Sequence, residues 1–192
     1  MSWEESLNRL MEGNKRFIAG QMIHPNQIIE KRLEVRREQK PYAVVLACSD
    51  SRTPPIFIFD AGLGDLFIVR TAGNVADETV IGSMEIAVEQ FETPMIMVLG
   101  HRRCGTVRMA LDQTEVSGHM QNIVHLLKPA VLEGKRLPGD PWENAARANV
   151  RITVEKLKNS EPYLKSRVQQ GILKIVGGYY CLDEWHVEII AD

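Results

Sequence analysis

The chain has 192 residues, Lys+Arg 23 against Asp+Glu 25, and so a formal charge of −2. A domain of this length buries roughly 70% of its unfolded surface and needs no disulfide to hold a core. Near-neutral charge argues against a general nucleic-acid binder, and no apolar run nears the ~20 residues of a bilayer span. The start, Met1-Ser2-Trp3-Glu4-Glu5, is acidic and lacks an apolar stretch behind it, so a secretory leader is not expected. Three cysteines are too few for a disulfide framework, and a cytoplasmic chain with an odd count directs attention to thiolate or metal chemistry.

In chain order, residues 2–19 predict an amphipathic helix, with Leu7, Leu10, Met11 and Phe17 on one face and Gly20 as its stop. Residues 21–40 are polar and charged, and Gln27 to Gln39 predict a second helix. Together 1–40 read as a helical arm ahead of a single domain over 41–192. A solvated surface helix and a subunit-wrapping arm fit this stretch equally well. Ala43-Val44-Val45-Leu46-Ala47, Leu66-Phe67-Ile68-Val69 and Met95-Ile96-Met97-Val98-Leu99 are continuous apolar runs, as in strands buried on both faces. A helix over Thr79 to Phe91 separates the second and third. Short connections in this order predict an α/β fold, a mostly parallel sheet with helices on both faces.

Further on, Gly105 to Leu111 predicts a helix. Residues 118–133 predict another, which Pro129 should kink or break. Asp140-Pro141 opens a long helix to about Asn159. Pro162 to Gln170 adds a short one. Ile172 to Tyr180 and Trp185 to Ile190 predict a closing hairpin through Asp183-Glu184, which makes the last strand an antiparallel edge.

The chemistry gathers at two strand ends. The first strand runs into Cys48-Ser49-Asp50-Ser51-Arg52, and the third into Gly100-His101-Arg102-Arg103-Cys104-Gly105. Ligands of open α/β sheets bind beyond the carboxyl ends of strands. Cys48, His101 and Cys104 therefore reach one rim, and two thiolates with one imidazole suit zinc with a fourth position open. Buried packing cysteines beside a hydrogen-bonded histidine remain the plainer alternative. Asp50 and Arg52 lie two apart, so an extended segment sets both on one side, as an orienting dyad or as an ordinary turn-closing ion pair. Gly62-Leu63-Gly64-Asp65 and Ala72-Gly73-Asn74 lack phosphate-loop spacing and read as tight turns bringing backbone close to the rim. Cys181 reads as packing.

These residues resemble the β-class carbonic anhydrases. The likeness lies in Cys48-Ser49-Asp50-Ser51-Arg52 with His101-x-x-Cys104-Gly105. It extends through Gly64 to Asn74, Gly82-Ser83-Met84-Glu85 and Leu10 to Phe17, and thins after about residue 112. The resemblance implies one Zn(2+) per chain on Cys48, His101 and Cys104. It implies Asp50 and Arg52 as catalytic residues, with Gln39, Phe67 and Gly105 shaping the substrate pocket. The reaction implied is reversible hydration of carbon dioxide to bicarbonate by zinc-bound hydroxide. Self-association as a homodimer or dimer of dimers is implied too, with no nucleic-acid or membrane partner.

Departures from the family pattern mark the rest. Ile86 stands where many members carry a tyrosine lent to the partner's pocket, which keeps carbon disulfide or carbonyl sulfide hydrolysis in view. Val45 stands where members with a regulatory bicarbonate site carry tryptophan, so that site is not expected. A non-catalytic zinc-binding regulator is a further alternative, against which the Asp50–Arg52 pair speaks. His24, His119, His125 and His186 are relay candidates by chemistry alone.

Overall fold

The computed structural model describes residues 1–192. It contains α1 (Trp3–Ala19), α2 (Ile29–Val35), β1 (Ala43–Cys48), α3 (Pro55–Ile58), β2 (Leu66–Thr71) and α4 (Glu78–Gln90). There follow β3 (Met95–His101), α5 (Gly105–Leu111), α6 (Met120–Gly134), α7 (Pro141–Lys158), α8 (Tyr163–Gln169), β4 (Lys174–Tyr180) and β5 (Val187–Ala191). The strands form one sheet ordered β2-β1-β3-β4-β5; β5 alone is antiparallel.

The β1 and β3 runs are continuous because both faces of the sheet are covered there, whereas β2, at the sheet edge, is half-buried throughout and not covered as its run predicts. Alternate residues of each strand enter different cores, following the two-residue period of a strand. Val44, Leu46, Ile96, Val98, Ile175 and Tyr179 face a large cluster built with α4, α5, α6, α7 and α8. Ala43, Val45, Ala47, Met95, Met97, Leu99 and Val176 face a smaller one closed by α1 and α3 through Leu10, Ile58 and Phe59. Residues 1–40 thus divide. Helix α1 lies on the sheet, whereas α2 buries no residue.

Helix α1 begins at a capping box, with Ser2 accepting from the Glu5 amide and Glu5 accepting from the Ser2 amide, and ends at Gly20 in the left-handed region (φ 66°). Asn14, inside α1, donates to the Ile58 and Trp185 carbonyls and accepts from the Val187 amide, tying α1 to α3 and to the start of β5. Asp60, its side chain fully buried, accepts from Arg16 Nε at 2.6 Å and from the amides of Ile23 and His24.

Three expectations are corrected. The second helix covers only Ile29–Val35, not 27–39, because isolated polar helices without a packed face are short. Helix α6 continues through Pro129. Pro129 and His125, whose carbonyl loses its amide partner, both face solvent, so water can take up the freed group. The 62–65 turn lies before β2, at the end of the sheet away from the rim, where Asp65 accepts from the Gly62 amide, Arg9 and Asn26.

Candidate metal centre

β1 and β3 are parallel neighbours in register, Val44 with Ile96 through Ala47 with Leu99, so their carboxyl ends finish side by side. Cys48 is the last residue of β1 and His101 the last of β3. The chain then turns through Arg103, in the left-handed region at φ 54°, and Cys104 caps the start of α5. All three side chains are buried, and their potential donor atoms lie within 4.8 Å of one another.

The donors fit a tetrahedral ion. The two Sγ atoms are 3.9 Å apart, close to the ~3.8 Å that two 2.3 Å bonds at a tetrahedral angle require. His101 Nδ1 is 2.9 Å from the Arg102 carbonyl, which fixes the proton on Nδ1 and leaves Nε2 as a bare lone pair. That Nε2 is buried and has no hydrogen-bond partner. An orphaned acceptor beside two thiols is costly unless something electron-poor sits among them. The electrostatics of the two sulfurs agree. The Cys104 thiol beside it draws the Cys48 pKa down; burial opposes this, and His101 and the amides of Asp50 and Gly73 assist. Cys104 is driven up by Cys48 and by burial. Unaided, the pair ionises once; a dication accommodates both thiolates.

Around the ligands the backbone is fixed by groups from several elements. The Gly73 amide lies 3.3 Å from Cys48 Sγ. Gly73 has φ 69°, and a Cβ there would come within 3.3 Å of Leu127 and Thr106. Asn149 of α7, buried, donates to the Gly73 carbonyl at 2.8 Å. Trp142 Nε1 donates to the Cys104 carbonyl at 2.8 Å. Arg70, at the end of β2, donates to the Cys48 and Asp50 carbonyls at 2.8 and 2.6 Å. Sequence reasoning gave none of these three a positioning role. Arg70 carried a signal, a lone charge in an apolar strand ending at the rim; Asn149 and Trp142 carried none, since their partners are distant in the chain.

Asp50 is held by Arg52 in a two-pronged contact, Nε to Oδ1 at 2.9 Å and Nη2 to Oδ2 at 2.7 Å, with the Arg52 amide also on Oδ1. The guanidinium contact is the main cause that brings the Asp50 pKa down to about 2; burial opposes it. Asp50 Oδ2 is 4.0 Å from His101 Nε2, so an ionised acceptor overlooks the ligand cluster. Gly105 adjoins Cys104, and a Cβ there would meet nothing within 4 Å.

The structure does not bring Gln39 or Phe67 to this cluster within one chain. Gln39 precedes β1 and is exposed, while β1 separates it from Cys48 by about 17 Å at ~3.3 Å per residue. Phe67 pairs with Val44 and packs on Phe91, with ring centroids 6.2 Å apart. Its position is four residues short of Cys48, about 13 Å along the strand. Ile86 is exposed on α4.

Residues 43–187 match the carbonic anhydrase family model. The carbonic anhydrase of Mycolicibacterium smegmatis is 41% identical over 184 residues, 94% of this chain and 89% of that protein. Carbonic anhydrase 2 of Mycobacterium tuberculosis is 42% identical over 179 residues, 91% of this chain and 86% of that protein. The β-carbonic anhydrase CcaA superposes with TM-score 0.75 at 26% identity, covering 97% of this chain and 92% of its own. The chain belongs to the β-class carbonic anhydrases. The match covers both strand ends of the β-carbonic anhydrase centre as well as Gly73 and Asn149, so the cluster and its backbone supports lie within the shared region.

Proposed function

We propose that the protein hydrates carbon dioxide reversibly to bicarbonate and a proton, with one zinc ion held by Cys48, His101 and Cys104. The observation that carries this is the orphaned His101 Nε2 facing two thiols 3.9 Å apart, beneath a carboxylate pinned by arginine. Held by these residues, a zinc ion would acidify its bound water from 15.7 to roughly 7 and so would make a nucleophilic oxygen available at neutral pH. Asp50, ionised and acceptor-only, takes a hydrogen bond from a hydroxyl placed between it and the ligands and so fixes where that oxygen points. Arg52 keeps Asp50 in this orientation and away from the ligand set. The missing side chain at Gly105 leaves room for a small substrate beside Cys104.

The pocket is completed by a second copy. Gln39 and Phe67 lie too far along their strands to serve their own centre, so they serve that of a neighbour in a homodimer or dimer of dimers. β2 supports this: it is an edge strand with a free apolar run and no blunting lysine or proline. Ile23, Ile28, Ile29 and Leu33 of the arm are likewise exposed. Three free cysteines fit a cytoplasmic setting. No helix is long and apolar enough to cross a membrane.

A second reading, hydrolysis of carbon disulfide or carbonyl sulfide, has Ile86 in its favour, since an exposed alkyl group there offers no hydroxyl to a neighbour's pocket. Stopped-flow assays of the zinc-loaded protein with each gas decide between them. Turnover of carbon dioxide supports the first reading, and turnover of the sulfur analogues alone replaces it with the second.

A further inference from the structure

A second set of metal-ligating side chains lies in the turn between β4 and β5. The donor atoms of Cys181, Glu184 and His186 all lie within 4.8 Å of one another. His186 Nδ1 is 3.2 Å from Glu184 Oε2, close to the ~3.3 Å separating two ligands at ~2.0 Å in a tetrahedral site. None of the three takes part in the centre described above. We propose that they form a second, solvent-open site for a zinc-like divalent cation.

The donor chemistry selects the ion class. One thiolate, one imidazole and one carboxylate suit zinc and disfavour magnesium or calcium, which require oxygen ligands. The turn that carries the set is held in shape before any ion arrives. The Cys181 amide donates to the His186 carbonyl at 2.9 Å and the Trp185 amide to the Cys181 carbonyl at 2.8 Å. Trp185, in the left-handed region at φ 64°, is fixed from outside the turn: Asn14 donates to its carbonyl at 3.0 Å and Phe17 stands edge-on to its ring. The sulfur points inward, with Cys181 9% exposed, while the side chains of His186 and Glu184 are 42% and 71% exposed. An ion there keeps one side toward water.

The surrounding charge permits binding. Arg102 Nη1 is 3.8 Å from Cys181 Sγ. Its charge is already met by Asp183 at 2.7 Å and Glu143 at 3.7 Å, and Asp183 also meets Arg103 at 3.0 Å. When an ion enters, a metal–sulfur bond forms and the thiol proton leaves to solvent. His186 gives the Nδ1 lone pair and retains its proton on Nε2.

The test begins with protein carrying one zinc per chain, titrated with further zinc by calorimetry and with cobalt(II) by absorbance. The expected result is one additional equivalent per chain, with a thiolate-to-cobalt charge-transfer band. Cys181→Ser and His186→Gln should weaken that equivalent at least 100-fold. Glu184→Gln, at an exposed side chain that cannot threaten folding, should weaken it about tenfold. Asp50→Asn should leave it unchanged, which separates this site from the hydration reading. A stoichiometry fixed at one under tenfold metal excess overturns the proposal. So does a second equivalent that binds Cys181→Ser or Glu184→Gln as tightly as the unaltered chain.

Discussion

Asp50 offers two oxygens, and Arg52 occupies both through a planar fork that lysine cannot reproduce. Asp50→Asn retains the three ligands but puts an amide, with a donor face, where a pure acceptor stood. Zinc content should stay near one per chain while the hydration rate falls by about 100-fold or more, read by metal analysis beside stopped-flow kinetics. With its pKa near 2, Asp50 does not titrate between pH 5 and 9. Any rate transition in that range belongs to another group, and the midpoint should survive in Asp50→Asn at the lower rate. Cys48→Ala should lose the tightly held zinc and Cys181→Ala should keep it, because Cys48, unlike Cys181, shares a cluster with His101 Nε2. Equal losses in dialysed protein would contradict the ligand assignment.

Elements, not single residues, set how firmly the centre is held. Helix α7 reaches across the sheet through Asn149 to the turn after β2, and that turn in turn presents the Gly73 amide to Cys48. Asn149→Leu leaves the Gly73 carbonyl unpaired and should weaken zinc retention about tenfold against a competing chelator, as removal of outer partners usually does. On the opposite face, α1 meets α3 where a Cβ on Gly13 would lie 1.8 Å from the Phe59 carbonyl oxygen. Gly13→Ala should cost about 3 kcal/mol in urea unfolding, since two backbones must part.

The same joint carries a pH dependence. Burial works against the Asp60 charge, but Arg16 and the amides of Ile23 and His24 outweigh it, so its folded pKa lies below 3.8. A depressed carboxyl pKa stabilises above the unfolded value and loses that contribution as pH falls through the folded one. The urea midpoint should therefore drop below about pH 4, and the drop should be smaller in Asp60→Asn.

At the scale of the whole molecule, one chain holds Cys48, His101 and Cys104 at one end of the sheet and Gln39 and Phe67 toward the other. On the proposed reading, a complete pocket needs two copies facing opposite ways. Ile68→Lys sets a charge on β2, the half-buried edge strand, where it opposes a packed interface. Sedimentation should show a smaller species that still binds zinc, with hydration activity reduced together with assembly. Full activity in a monomer would remove Gln39 and Phe67 from the pocket.

Much of this protein is legible from residue order. Three apolar runs flanked by short turns specify a two-faced parallel sheet, because a strand covered on both sides, as β1 and β3 are, is apolar at every position. The positions of Cys48 and His101 at strand ends, with Cys104 in the turn that follows, come from the same pattern. Where the ligands' supports come from was decided only by the fold. Arg70, Asn149 and Trp142 act through backbone carbonyls, and a carbonyl carries no residue identity that a sequence could display. The division of residues 1–40 was likewise hidden: α1 takes its place on the sheet through Leu10, Gly13 and Asn14, and the partners Phe59 of Gly13 and Trp185 of Asn14 lie 46 and 171 residues away. Cys181, Glu184 and His186 stand within six residues of one another, yet only the turn imposed by Asn14 and by the β4–β5 pairing directs their donors to a common point.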